Sequence, residues 1–253
     1  MTEPADNDPI LKPSELLAWR RANGQLPDFP APRSVIFAPQ KSLADYVLRR
    51  HSTKKVKGFL GEFYLLKRMN GQIALSTGFG IGAPVIGGLT DEFAALGVRQ
   101  FTLISTAGGL QPQLTAGSLI ISTNVIRDEG VSRHYLPPHP TVESSSKMVH
   151  GISEILTKQK QTHMLGATWT TDTPFRELRK DVLRYQNEGV FAVDMEAAAM
   201  LAVARSMSLH AVAVYSIADQ LSNGQWRMAN DLKPSQKGLS ILFDATLTYL
   251  TSR

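Results

Sequence analysis

Residues 72–96 read QIALSTGFGIGAPVIGGLTDEFAAL. The first six form an apolar, strand-like run, the glycine-rich GFGIGAP makes a turn, and residues 84–96 carry a helical spacing of apolar side chains. A strand that passes through a tight turn into a helix is the repeating unit of α/β sheets. Toward the N-terminus the same alternation gives SVIFA (34–38), a helix near 42–50 and GEFYLL (61–66). Toward the C-terminus it gives FTLIST (101–106), SLIISTNVI (118–126), a helix near 142–160, GATWTT (166–171), helices near 175–187 and 195–207, HAVAVYSIA (210–218) and a last helix near 234–250. Linkers rich in Gly, Ser or Pro are absent between 34 and 253, and no internal repeat is visible, so one α/β domain over 34–253 is expected. Six of the 14 prolines precede Arg33. Residues 1–33 therefore read as an arm with one short helix, capped by Ser14, burying Leu16, Leu17 and Trp19, and ending at Asn23-Gly24.

Composition removes several classes of chemistry. The 253 residues contain no cysteine, which excludes disulfides, thiolate metal sites and a cysteine nucleophile. The longest apolar run, 197–204, stops at Arg205, far short of the roughly 20 residues a bilayer demands. The acidic N-terminus, with Glu3, Asp6 and Asp8, lacks the basic and apolar regions of a secretory signal, so a cytoplasmic location is expected. A net charge of +5 suits small anions as readily as nucleic acid. The basic stretch 41–57 holds a single aromatic, Tyr46, which argues for a solvated helix face and loop rather than a nucleic-acid surface. Neither a membrane nor a nucleic-acid partner is expected.

Ligands on open α/β sheets gather at the carboxyl ends of strands, so the residues after each strand carry the chemistry. GFGIGA (78–83) fits a dinucleotide fingerprint, but the next strand ends in Ser105-Thr106-Ala107-Gly108 with no carboxylate to hold a ribose. A phosphate loop, a zinc-protease helix and a serine-hydrolase elbow are all missing. No metal or organic cofactor is expected.

Four segments after strands remain: STGFGIGAP (76–84), STAGGLQP (105–112), VDMEAAAM (193–200) and YSIADQLS (215–222). As an ordered set over about 34–249 they resemble the nucleoside phosphorylases and related nucleosidases, the family of uridine phosphorylase, hexameric purine nucleoside phosphorylase and methylthioadenosine nucleosidase. RDEGVSRHYLPP (127–138) resembles the uridine-phosphorylase branch, and WTTDTPFRE (169–177) falls where that family places its base-contacting loop. The resemblance implies a single-domain, three-layer phosphorylase-like fold with a central mixed, partly barrel-like sheet flanked by helices. It also implies a homo-oligomer, a dimer or a trimer of dimers, acting on a nucleoside with inorganic phosphate as co-substrate.

Cleaving an N-glycosidic bond requires a negative group near a cationic sugar and an acid for the departing base. Glu196 follows the strand-like FAVD at the start of an apolar helix, where its carboxylate can reach ribose hydroxyls; Asp194 beside it reads as a helix cap. Asp219 closes an apolar strand and can donate a proton to N7 of a purine if its surroundings keep it protonated. The resemblance adds Met195 at the sugar, and Asp172, Phe175, Arg176, Gly108 and His134 as further substrate contacts. On the phosphate side it implies Lys41 and Lys57, each standing where the family has arginine, with Thr106 and Gly80. A third family arginine aligns with apolar Leu103, and the water-activating glutamate of the nucleosidases is absent from 38–42. The expected activity is phosphorolysis of purine ribonucleosides to base and pentose 1-phosphate. A nucleosidase using water, or a nucleoside-binding module with weak turnover, remains open.

Overall fold

The computed structural model describes residues 9–252. The first eight residues of the arm, with their acidic side chains, and Arg253 lie outside the described residues. Helix α1 (Pro13–Ala22) leads to β1 (Ser34–Ala38), α2 (Lys41–Arg50), the hairpin β2 (Thr53–Val56) and β3 (Glu62–Leu66), then β4 (Ile73–Thr77), α3 (Ala83–Leu96) and β5 (Gln100–Gly109). The second half runs β6 (Leu119–Asp128), β7 (Thr141–Glu143), α4 (Ser146–Lys158), β8 (Met164–Thr171), α5 (Arg179–Asn187), β9 (Ala192–Asp194), α6 (Ala197–Ser206), β10 (His210–Gln220), β11 (Arg227–Met228) and α7 (Lys233–Thr251).

All eleven strands join one mixed sheet. β10, β6, β8, β9 and β5 pair in succession and β5 pairs back to β10, so five strands close into a barrel. From β5 the sheet extends through β1, β4 and β3 to β2. One apolar layer holds α1, α3 and α6 against this sheet; the other holds α2, α4 and α7. A smaller cluster joins Trp169, Val182, Tyr185 and Leu221 beneath α5. Every residue from Ala197 to Ala204 is buried, the expected fate of a helix that is apolar all round. None of the described helices is long and apolar enough to cross a membrane.

Five local expectations are corrected. Pro13 occupies the first turn of α1 and Lys12, not Ser14, takes the cap position; proline's fixed φ and missing N–H suit that place. In that helix only Leu17 is fully buried, while Trp19 is exposed. Val142 belongs to β7, so the helix starts at Ser146, and the helix expected from 175 begins only at Arg179, after a 3-10 turn at Pro174–Arg176. The basic stretch 41–57 is a helix followed by edge strand β2, whose exposed Lys54 and Lys55 protect an unpaired strand edge.

Candidate functional site

The carboxyl ends of β1, β5, β9 and β10 converge on a cavity of about 610 Å³. Its acidic wall starts at Asp194, the last residue of β9. One Asp194 oxygen accepts the amides of Glu196 (3.2 Å) and Ala197 (2.9 Å), which caps α6, and the other accepts the Thr170 hydroxyl. Asp194 is expected at the cap position of α6; Glu196 takes that position, and Asp194 caps the helix with its side chain from two residues upstream. Burial raises its carboxyl above the usual range, against the donors that favour the ionised form.

Glu196 is 5% exposed, and its Oε1 accepts the Gly82 amide at 2.6 Å. Gly82 precedes α3 at φ +102°, a conformation that favours glycine, so the turn presents this N–H to the carboxylate. Burial first, then the charge of Asp194, pushes the Glu196 carboxyl up to about 7.

Asp219 lies near the end of β10, just past a register shift in the pairing with β5 that turns the strand. The indole N–H of Trp226 donates to its Oδ2 at 2.8 Å. Burial raises the Asp219 carboxyl and that indole works in the opposite direction. Across the cavity Glu177 is pushed up to about 7, by burial and then by the charge of Asp219. Gly108 pairs with Asp219, and a Cβ there would meet the tip of the Leu221 side chain at 2.5 Å, so a larger residue would have to push that side chain aside.

The corner at the end of β1 is polar but neutral. Gln40 donates from Nε2 to the hydroxyls of Ser105 (3.1 Å) and Thr106 (3.0 Å), while its buried Oε1 has no partner among the described residues. Accepting that hydrogen bond leaves the Thr106 hydroxyl proton available to a ligand oxygen.

Of the residues expected from sequence, the cavity gathers Asp219, Glu196, Met195, Phe175, Gly108 and Thr106. Phe175 stands 98% exposed at the mouth rather than packed on a helix face. The rest lie outside the lining. Lys41 is solvated and pairs with Asp45 at 2.6 Å. Lys57 is exposed beyond β2, and Gly80 (φ +92°) shapes the turn before Ile81, which does line the cavity. Arg176 and His134 are exposed, and Asp172 accepts the Gly130 amide at 2.8 Å, tying the 171–177 loop to the segment after β6. Leu103 is fully buried in the core between Phe37 and Ala213. Among the described residues no lysine or arginine lines the cavity. Among the described residues no group of three or more His, Asp or Glu side chains is placed to hold a metal ion.

Among the lining residues that the sequence reading did not single out are Gln40, Glu177 and Trp226. Gln40 was overshadowed by the cation beside it. Glu177 was hidden by a helix expected from 175. A second acid two residues after an aromatic one, in the loop that follows β8, was the available signal for Glu177.

A family model described as the phosphorylase superfamily matches residues 39–247. The chain is 26% identical over 157 residues to a uridine phosphorylase of Salmonella typhimurium, a stretch covering 56% of this chain and 62% of that one. It is 26% identical over 155 residues to a guanosine phosphorylase of Halorubrum lacusprofundi, covering 60% and 63%. With a DeoD-type purine nucleoside phosphorylase of Clostridium perfringens the figures are 23% over 201 residues, 77% and 83%. The match thus spans less than two thirds of the first two relatives.

Proposed function

The chain belongs to the phosphorylase superfamily, and from that premise we propose that it cleaves the N-glycosidic bond of nucleosides by phosphorolysis, with purine ribonucleosides preferred. One observation carries the reading: the half-buried Asp219 carboxyl and the buried Glu196 carboxyl open onto one cavity, each raised above its ordinary range by burial. In the proposed reaction the C1′–N9 bond breaks, its electron pair goes to the base, and Asp219 donates a proton to N7. A phosphate oxygen then bonds to C1′. Glu196, with Met195, holds the ribose and balances the positive charge that develops on it. No metal or organic cofactor enters the scheme.

Phosphate would sit at the neutral corner, on the Thr106 hydroxyl and beside the start of α2, whose N-terminal amides favour an anion. Lys41 is the first residue of that helix. Its exposed i,i+4 pair with Asp45 contributes about half a kcal/mol at most, so a phosphate dianion can draw it away. In the same scheme the enzyme is a cytoplasmic homo-oligomer, and Lys57 and His134 serve a neighbouring copy's cavity.

A second reading is favoured by one feature: among the described residues the cavity wall carries four carboxylates and no cation. Water would then be the nucleophile and free pentose the product. Base release from a nucleoside panel, with and without phosphate, decides between the two. Pentose 1-phosphate and strict phosphate dependence support phosphorolysis; an undiminished rate in phosphate-free buffer overturns it.

A further inference from the structure

The strand that carries Asp219 folds back on itself. After β10 the chain makes a 3-10 turn at Ser222–Gly224, where Asn223 (φ +58°) and Gly224 (φ +65°) reverse its direction. It returns as β11, in which Met228 pairs with Asp219 and Arg227 with Gln220. The turn is tied to α5, because the Asn223 amide donates to Gln186 Oε1 at 3.0 Å. This hairpin brings Trp226 to the acid. The Trp226 side chain is 66% exposed, so burial of apolar surface does little to hold it there; its polar contact is the Nε1–H donated to Asp219 Oδ2 at 2.8 Å.

A carboxylic acid has two oxygens and one proton to give. With Oδ2 already accepting an N–H, the proton resides on Oδ1. That oxygen lies on the side of Gly108, a cavity-lining residue: a Cβ placed on Gly108 would be 3.5 Å from it. The terminal torsion of an aspartate is broad, so without the indole the two oxygens can exchange places and either can carry the proton.

The chemical type of the donor matters too. Among the described residues, the titratable groups that share the cavity with Asp219 are all acids: Glu177 from the loop after β8, and Asp194 and Glu196 from β9 and the start of α6. The nearby cations are engaged elsewhere, Arg227 with Gln225 on the flap and Arg179 of α5 against Gly224. A cation on the carboxyl would hold it ionised, with no proton to donate. Burial favours the protonated acid and the neutral indole opposes it, and the same N–H stabilises the carboxylate that remains once the proton has left.

We propose that Trp226 is a positioning residue for the general acid: its indole N–H takes Asp219 Oδ2 and leaves Oδ1 to carry the proton to the departing base. The proposal rests on the nucleoside-cleaving reading above. In the transfer the Oδ1–H bond breaks, its electron pair stays on the carboxylate, and the proton joins the base nitrogen while the glycosidic pair moves onto the base.

Trp226→Phe keeps a ring and removes the donor. The test compares its kcat and KM with those of the wild type across pH at saturating phosphate, on the natural nucleoside cleaved fastest and on one whose base leaves without protonation. In parallel, the indole 15N–1H signals of the ligand-free protein, which has three tryptophans, are followed through a pH titration. On the natural nucleoside kcat should fall about tenfold, the effect of a lost hydrogen bond to a charged group, with KM within about twofold. The alkaline limb of kcat/KM, set by loss of the Asp219 proton, should move up by about half a unit to one unit, because a donor that favoured the carboxylate is gone. The activated nucleoside should lose less than about threefold, since its base needs no proton. The Trp226 signal, identified by its absence from Trp226→Phe, should titrate in the wild type and stop titrating in Asp219→Asn. Equal losses on the two nucleosides, or an alkaline limb that stays in place, overturn the proposal and leave nucleoside cleavage standing. If no nucleoside is cleaved, the function reading fails and the indole signal still decides Trp226: a titration that Asp219→Asn abolishes supports its hold on that carboxyl, and one that survives sinks it.

Discussion

Two walls of one cavity are built on different principles. On the wall formed by β9, α6 and β10, Asp194, Glu196 and Asp219 project from strand ends or from the first residues of a helix, and each is fixed by a donor on another element or on the adjoining backbone. On the wall at the end of β1, the polar groups are Gln40, Ser105 and Thr106, uncharged and hydrogen-bonded to one another, while the nearest lysine in sequence points to solvent. The first wall is preorganised and charged; the second is preorganised but neutral. Stabilising charge that develops during a reaction depends on groups already in place, whereas binding a mobile dianion tolerates a long side chain that arrives with it.

The largest effect should follow from attacking the acidic wall. Asp219→Asn is expected to lower kcat/KM for natural purine nucleosides by about 10²- to 10⁴-fold, the usual yield of a general acid. A nucleoside whose base leaves without protonation should lose less than about tenfold. Equal losses on both would make Asp219 a structural residue and dissolve the contrast between the walls.

Glu196→Gln should lower kcat/KM by about 10²-fold, because the charge facing the sugar is gone. It should also change the pH dependence of stability. The Glu196 carboxyl lies above the ordinary glutamate range in the folded protein, so the folded state binds this proton more tightly than the unfolded chain does. That contribution is fully present below the ordinary glutamate value and is lost as pH rises through about 7. The ligand-free protein should therefore melt lower at pH 8 than at pH 5, and Glu196→Gln should flatten the difference. An unchanged slope would mean that Glu196 is already ionised across that range.

The neutral wall should respond more gently. Thr106→Ala is expected to raise the phosphate KM about tenfold, for one lost hydrogen bond to a charged ligand, with the nucleoside KM within about twofold. Lys41→Ala should raise it by about threefold, and more at low ionic strength than in 0.5 M salt, where screening removes the attraction. A phosphate KM indifferent to both substitutions would sharpen the contrast further, since the neutral wall would then be left without a role toward an anion.

Legibility in the sequence divides along the same line. Asp219 and Glu196 could be found because each ends or follows an apolar strand, and chain direction alone brings such residues to the ligand side of the sheet. Gly82 could be found as a turn glycine and Gly108 as a glycine at a strand end. The alternation that gave the α/β class is local and survives folding, although Val142 shows that a three-residue strand can pass for a helix start. The closing of β5 onto β10 depends on pairing between residues about a hundred positions apart, which no local pattern records. Lys41 was legible as a cation after a strand, but its nearest stable partner is Asp45, one helical turn away, and that choice is made by the helix rather than by the strand. Glu177 was missed because the turn at Pro174–Arg176 delays α5 to Arg179 and leaves this acid in a loop that lines the cavity.

The barrel closure has a consequence for local opening. β5 and β10 pair with each other along most of their length and take further partners over part of it, so their amides should be among the slowest to exchange with solvent. β11 is two residues long, pairs only with the end of β10, and follows directly on the segment bearing Trp226. Its amides should exchange by local opening, orders of magnitude sooner. Asp219 sits on the boundary, its backbone in the slow-exchanging barrel and its carboxylate held from the fast-exchanging flap. Release of the Trp226 donor can therefore proceed without disturbing the strand that aims the acid, and the two events should separate cleanly in a hydrogen-exchange time course.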